Sequence, residues 1–401
     1  MLVDIEGETR FDLHFRDVSR NEAFSLALVP ASRGGAFFLR AGHINVCLSG
    51  KLDDQAEKLI RAIGRLIEKN TASLSEDELE TLFRQPDTNP FVGVEVSKRV
   101  EILLGTECPS NCLFCTERPI LCEQRFDTDL RATLERCREL GFEQVEFGGL
   151  EPTTREDLPQ LIQYARELGF VSVHLISNAF RLGDERYMES LFKAGLSVLI
   201  LSIHGMTEET ETALTRTEGL FEKKQKALET ARKLLGTREE QSKNQRYFRT
   251  NTVLTKLNLS EIPGLVRDLL ARESSLVLLN YPWINGRAKE NFLQVVPDYQ
   301  ETIEALMPIR SLFFDSETPV TAVNLPLCVG HFFSVPKMDA KQIVETAKVG
   351  QQNLPLVHAH LDPSFRYGAL CNSCKRRQEC PGVPDLVLHH YGEVGLKPFI
   401  S

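Results

Sequence analysis

No apolar run in these 401 residues approaches the roughly 18 needed for a membrane-spanning helix, so an integral membrane protein is not expected. The opening MLVDIEGETRFDLHF carries early acidic residues and no apolar stretch ending in small residues, so it does not read as a secretory signal. A cytoplasmic location is the expectation. Positive charge is also in deficit: 47 Lys and Arg against 56 Asp and Glu give a formal charge of −9. Nothing here would neutralise a phosphate backbone broadly, which argues against general nucleic-acid binding. There is one tryptophan, and the charged fraction of 26% is ordinary for a soluble globular chain. Internal repeats and low-complexity tracts are lacking too. What stands out is ten cysteines. In a reducing compartment clustered thiols more often mean metal or catalysis than disulfides.

Six of the ten fall in two tight groups, Cys108-x3-Cys112-x2-Cys115 and Cys371-x2-Cys374-x5-Cys380, while Cys328 stands alone. Cys137 lies at helical spacing with Leu130, Leu134 and Leu140, and Cys47 sits in an alternating run, INVCLS; both read as small packed side chains. Packing is also the simpler role for Cys122.

The pattern of the chain divides it in three. Residues 1–95 read as a small α+β unit, with short strands near 23–30, 35–40 and 43–48 and helices near 53–69 and 75–85. Residues 98–313 alternate buried strands with amphipathic helices. Strands are expected at Val100–Gly105, Gln144–Phe147, Val171–Ile176, Ser197–Ser202, Phe248–Thr255 and Leu276–Asn280. Helices are expected near 128–140, 156–168, 184–194, 220–235, 260–272 and 298–309. Six βα units imply a parallel sheet with right-handed crossovers, too few for a closed eight-stranded barrel. The expected fold class is α/β, a partial (β/α)6 TIM-like barrel, with a doubly wound open sheet as the alternative. Either way the reactive groups should gather in the loops after the strands. Residues 314–401 lose the alternation, carry the remaining cysteines and read as a small irregular domain. The basic stretch Lys223–Arg246 reads as a solvated helix face and a loop.

The first cysteine group follows the first barrel strand directly. Three thiolates within eight residues can converge on one center, and three soft ligands suit zinc or an iron–sulfur cluster with one open site. With Phe114 as the aromatic residue before Cys115, the stretch resembles the C-x3-C-x-aromatic-C motif of the radical S-adenosylmethionine (SAM) superfamily. The resemblance implies that Cys108, Cys112 and Cys115 hold a [4Fe–4S] cluster whose remaining iron binds SAM. It also implies an electron donor such as flavodoxin or ferredoxin. After the second strand, Gly148-Gly149-Leu150-Glu151-Pro152 is similar to the family's Gly-Gly-Glu-Pro motif, which holds the SAM amino group, but with Leu150 inserted. Ser177-Asn178 after the third strand resembles the pair placed near the methionyl carboxylate. Ser202 and His204 after the fourth match positions set against the ribose, though His204 reads equally well as a packed strand-end residue. The fifth strand carries Arg249, Asn251 and Thr252, and Pro282–Ala288, with Arg287, resembles a segment packing on adenine and ribose. These polar residues are expected to face one mouth.

Cys328, Cys371, Cys374 and Cys380 make four thiolates, enough to close a second site; structural zinc is the alternative, and His331, His358 or His360 could replace a ligand. The group resembles the twitch or SPASM-type auxiliary-cluster extensions of peptide-modifying and cofactor-building members of the family. An enzyme acting on a ribosomally made peptide is therefore the first expectation, with residues 1–95 similar to a peptide-recognition module. A small-molecule enzyme of cofactor or natural-product biosynthesis is the second. A non-catalytic protein with structural metal sites is the remote third.

Overall fold

The computed structural model describes residues 2–5, 11–17, 22–30, 36–41, 44–50, 94–96, 99–104, 107–116, 130–139, 142–333, 365–377, 380 and 382–400. The helices expected at 53–69 and 75–85, together with Cys122, His358 and His360, lie outside them, as does the side chain of Cys47.

Five strands open the chain: β1 Leu2–Ile5, β2 Phe11–Asp17, β3 Glu22–Pro30, β4 Ala36–Ala41 and β5 Ile44–Gly50. They pair in order as an antiparallel meander, and β6 Val94–Val96 pairs with β5. The first two strands were not among those expected from the sequence. The meander is hydrogen-bonded to the barrel sheet, because β5 also pairs with β7 Arg99–Leu103, setting Ile44 against Ile102.

From β7 the pattern is parallel. In order come β8 Gln144–Gly148, β9 Ser172–Ser177, β10 Val198–Ser202, β11 Tyr247–Val253, β12 Val277–Asn280 and β13 Val320–Val323. Each is hydrogen-bonded to its sequence neighbours, and the seven strands curl into a partial barrel. The seventh strand, between Pro319 and Pro326, falls in the segment whose pattern reads as irregular; four residues are too few to show a period. Helices cover the outside because their apolar residues recur every three to four positions. In Leu158–Glu167 these are Leu158, Leu161, Ile162 and Ala165, all buried. Asp184 caps the next helix, Glu185–Lys193, accepting from the Arg186 and Tyr187 amides at 2.9 and 3.2 Å. The stretch expected as a loop after Gly236 is instead a helix, Arg238–Asn244, opened by a reciprocal capping box between Thr237 and Glu240.

In a parallel sheet, residues in register share a face. One face carries Val100, Val145, Val173, Leu199, Phe248 and Val277, all buried against the helices. The opposite, concave face carries Arg99, Glu101, Glu146, His174, Ser202, Arg249, Asn251 and Asn280. The lumen of the barrel thus carries charged and amide groups alongside the apolar Val198, Ile200 and Leu278. The same hydrophobic core continues into the last segment, where Cys328, Val329, Val383, Val387 and Leu396 belong to it. Tyr391, on the helix Asp385–Tyr391, donates its hydroxyl to the Val296 carbonyl at 2.9 Å. No helix among the described residues is long and apolar enough to cross a membrane.

Candidate active site at the mouth of the barrel

The loop after β7 carries Cys108, Cys112 and Cys115, all half-buried. It is held from three sides. The amides of Asn111 and Leu113 donate to the carbonyls of Thr215 and Leu214 at 2.9 Å each, so the last turn of the helix Glu208–Thr215 grips both sides of Cys112. Arg287 donates through its backbone amide to Cys115 O at 3.0 Å and through Nη1 to Asn111 O at 2.9 Å, and Asn291 Nδ2 donates to Leu113 O at 3.1 Å. From the third strand end, Asn178 Nδ2 donates to Ser110 Oγ at 3.1 Å and meets Cys108 Sγ at 3.5 Å. The expected first cysteine group and Asn178 are therefore brought together.

The glycine loop after β8 lies beside them. Gly149 and Leu150 have φ of +75° and +48°, so the inserted leucine takes the left-handed conformation that glycine tolerates better. At Gly148 a β-carbon would lie 2.8 Å from Glu101 Oε1 on the concave face. Glu151 is wholly buried. Its Oε1 accepts from the Thr153 amide at 3.0 Å, Thr153 Oγ1 at 2.5 Å and Ser177 Oγ at 2.7 Å, and its Oε2 accepts from the Asn178 amide at 2.6 Å. Burial pushes this carboxyl up, while the Thr153 and Ser177 hydrogen bonds pull it back. Glu151 and Ser177 thus tie the glycine loop to the end of β9, which positions Asn178.

His204 is buried at the end of β10. Its Nδ1 accepts from the Val253 amide at 3.2 Å, and its ring meets Phe114 edge-on with centroids 4.7 Å apart. Burial, helped by the Lys224 ammonium, pushes its pKa down to about 3, so the ring is neutral at pH 7. Ser202, Asn251 and Asn280 sit near the strand ends on the concave face, with Asn280 Nδ2 hydrogen-bonded to Asn251. Thr252 does not join them: strand alternation turns it outward, where its hydroxyl donates to Ile203 O at 2.6 Å. Deeper in the lumen, Arg99 Nη1 lies 3.3 Å from both Glu146 Oε2 and His174 Nδ1. Burial lowers the His174 pKa to about 4 and that of Arg249 to about 10, the latter with help from Arg99.

Glu211 and Lys224 were missed by sequence reasoning. Both are buried, paired at 2.5 Å, although Lys224 belongs to the basic stretch expected to face solvent. A signal was present: Lys224 falls on the stripe formed by Leu220, Ala227, Leu228, Ala231 and Leu235. Asn291, one helical turn after Arg287, was also missed and had no such signal.

Cys328, Cys371, Cys374 and Cys380 line one pocket, with Tyr367 and Phe399 among its walls. Burial pushes the Cys328 thiol up to about 11 and raises those of Cys371 and Cys380. At the first group, burial drives Cys112 up to about 12, against the Lys224 ammonium. Thiolates in such places need a cation. Both donor sets are soft sulfur, and the thiols raised by burial, those of Cys112, Cys328, Cys371 and Cys380, therefore fit a metal cluster that supplies that charge. Among the described residues no three His, Cys, Asp or Glu side chains are already drawn together as in a closed metal site, and none of the cysteines is in a disulfide.

The model of the radical SAM superfamily matches residues 102–267. A 7,8-dihydro-6-hydroxymethylpterin dimethyltransferase of Methanocaldococcus jannaschii is 27% identical over 209 residues, 49% of this chain and 39% of that protein. A PqqA peptide cyclase of Xanthomonas oryzae pv. oryzae is 28% identical over 241 residues, 57% of this chain and 61% of that protein. These matches thus span about two fifths to three fifths of the relatives' own length. The solved structure of Streptococcus suis SuiB bound to S-adenosylmethionine aligns with 81% of this chain and 83% of its own, at 18% identity and a TM-score of 0.49. Cysteine loop, glycine loop and parallel half-barrel fall within or beside the span, residues 102–267, that matches the radical SAM superfamily.

Proposed function

We propose that this chain is a radical SAM enzyme that modifies a peptide and carries a second, auxiliary iron–sulfur cluster in its C-terminal segment. The observation that carries the radical SAM part is the loop of Cys108, Cys112 and Cys115, fixed at the mouth of the parallel barrel with Asn178 against Cys108. When bound, a [4Fe–4S] cluster there supplies one electron to SAM, which splits into methionine and a 5′-deoxyadenosyl radical that takes hydrogen from a substrate.

The chain's own residues bind and orient. Asn178 offers an amide N–H to the Cys108 sulfur, a hydrogen bond that stabilises a thiolate. Glu151 and Ser177 hold Asn178 in place, and the backbone of Gly148 and Gly149 offers the close approach that an amino-acid ligand needs. Phe114, in ring contact with His204, and Ser202 at the end of β10 are the candidate surface for the nucleoside. Arg287 acts by holding the cysteine loop through Asn111 and Cys115. The concave face, through the polar groups of Arg249, Asn251 and Asn280, receives the substrate in a lumen left open by a partial barrel.

Cys328, Cys371, Cys374 and Cys380 hold the auxiliary cluster, and the strand meander before β7 is a candidate peptide-recognition surface. The peptide part is supported by the likeness to the PqqA peptide cyclase. A second reading, a small-molecule substrate, is favoured by the likeness to the pterin dimethyltransferase. Anaerobic reconstitution should give about 8 irons per chain for two clusters, and about 4 if the second site holds zinc. The substrate is found by incubating the reconstituted protein with SAM and size fractions of a deuterated host-cell extract. Deuterium in 5′-deoxyadenosine that vanishes on protease treatment of the fraction supports a peptide; deuterium from the protease-resistant small-molecule fraction supports the second reading.

A further inference from the structure

Behind the cysteine loop lies a buried ion pair that none of the roles above uses. Glu211 and Lys224 stand on successive helices, Glu208–Thr215 and Leu220–Leu235, with side chains 0% and 1% exposed and Nζ 2.5 Å from Oε1. The other carboxylate oxygen accepts from the amides of His204 and Gly205 at 3.0 and 2.7 Å. Gly205 is packed so tightly on this helix that a β-carbon would lie 2.6 Å from the Glu211 amide. One turn further, the same helix presents the Leu214 and Thr215 carbonyls that grip Leu113 and Asn111, on either side of Cys112. On the other flank, His204 meets Phe114 of the same loop. One carboxylate therefore fixes the ammonium and the 204–205 turn, on the helix that holds the cysteine loop. Burying two charges gains little stability over an apolar pair of similar size. Their electrostatic effect, however, is strong in a poorly screened interior.

We propose that Lys224 and Glu211 are positioning residues that set the reduction potential of the metal center at Cys108, Cys112 and Cys115. This rests on the reading that those cysteines hold an iron–sulfur cluster. A cluster gains one negative charge on reduction, so a nearby ammonium favours the reduced form and a nearby carboxylate opposes it. The pair balances the two. Lys224→Met leaves the carboxylate and shifts the midpoint potential to more negative values. Glu211→Gln leaves the ammonium and shifts it to more positive values. The double variant, with neither charge, falls between the two.

The experiment is a redox titration of the reduced-cluster electron paramagnetic resonance signal at pH 7 in reconstituted wild type and the three variants, alongside iron content. Cys371→Ala, Cys374→Ala and Cys380→Ala are placed together in every background, which leaves a single thiol at the second site, so that only the first center contributes. Opposite shifts in the two single variants, at wild-type iron content, establish the proposal; a merely structural pair would lower iron content in both and move neither potential. Unchanged potentials, or shifts of one sign in both singles, overturn it. Should Lys224→Met fail to fold, the comparison of Glu211→Gln with the double variant decides by the same sign. Absence of any cluster signal in the wild-type background would instead overturn the cluster reading itself, and is told apart from the other outcomes by that absence.

Discussion

The two cysteine groups differ in what surrounds them. Around Cys108, Cys112 and Cys115, hydrogen bonds arrive from helix Glu208–Thr215, from Arg287 and Asn291, and from Asn178, with a buried ion pair behind. Around Cys371, Cys374 and Cys380 the framework is slighter. Among the described residues it includes a short turn, Leu370–Ser373, a bond from the Leu370 amide to Glu393 Oε1 at 2.6 Å, one from Tyr367 Oη to Cys380 O at 2.8 Å, one from the Lys375 amide to Phe399 O at 2.8 Å, and backbone amides of Gly382 and Leu327 on Cys380. The first group is positioned by tertiary contacts that need no metal. Of the second group's described cysteines, Cys328 belongs to the core while Cys371, Cys374 and Cys380 are half-buried, so its closure depends more on what its thiols bind.

Metal removal should separate the two most widely. In hydrogen exchange on chelator-treated protein, amides in 371–380 should lose protection by orders of magnitude, while those of Asn111 and Leu113 stay near their loaded values. Equal loss in both loops would break the comparison. Next in size is the charge behind the first loop. Lys224→Met should destabilise the apoprotein by about 3–5 kcal/mol in denaturant unfolding, because it strands a buried carboxylate. The exposed pair Lys193–Glu189 provides the contrast, and Glu189→Ala there should cost about 0–1 kcal/mol.

Acid should act on the barrel. His174 is held at about 4 by burial, against an ordinary 6.5, so the unfolded chain takes up its proton first. Its contribution is complete above pH 6.5 and is lost as the pH falls toward 4, a loss on the order of 3 kcal/mol. His174→Gln should show a correspondingly smaller fall in unfolding free energy between pH 7 and pH 4.5. The smallest effects come from single anchors. Arg287→Ala should weaken iron retention at the first center by about 10–100-fold. Tyr367→Phe should cost the second region about 0.5–1.5 kcal/mol and leave the first untouched. Metal titrations and unfolding curves read both.

Much of this arrangement was legible in the sequence because it is local. Val100–Gly105 and the next five strands are legible as short β-type segments that alternate with amphipathic helices, and the cysteine spacing marks the site. What the sequence hides is tertiary. Arg287 meets Asn111 across 176 positions, and Glu211 meets Lys224 across two helices, with no period linking either pair. β13 is too short to show alternation, and Thr252 had the right address at a strand end but the wrong side of the pleat. Glu151 carries the expected motif, yet its carboxylate oxygens bind Thr153, Ser177 and Asn178, which only the packed loop reveals.

The central claim is that the first cysteine loop, and not the second, cleaves SAM. The direct test is 5′-deoxyadenosine formation from SAM under strong reductant by anaerobically reconstituted wild type, Cys112→Ala and Cys371→Ala. The account predicts product from the wild type and from Cys371→Ala, and none above background from Cys112→Ala. Product from Cys112→Ala at the wild-type rate, or none from the fully iron-loaded wild type, would contradict it.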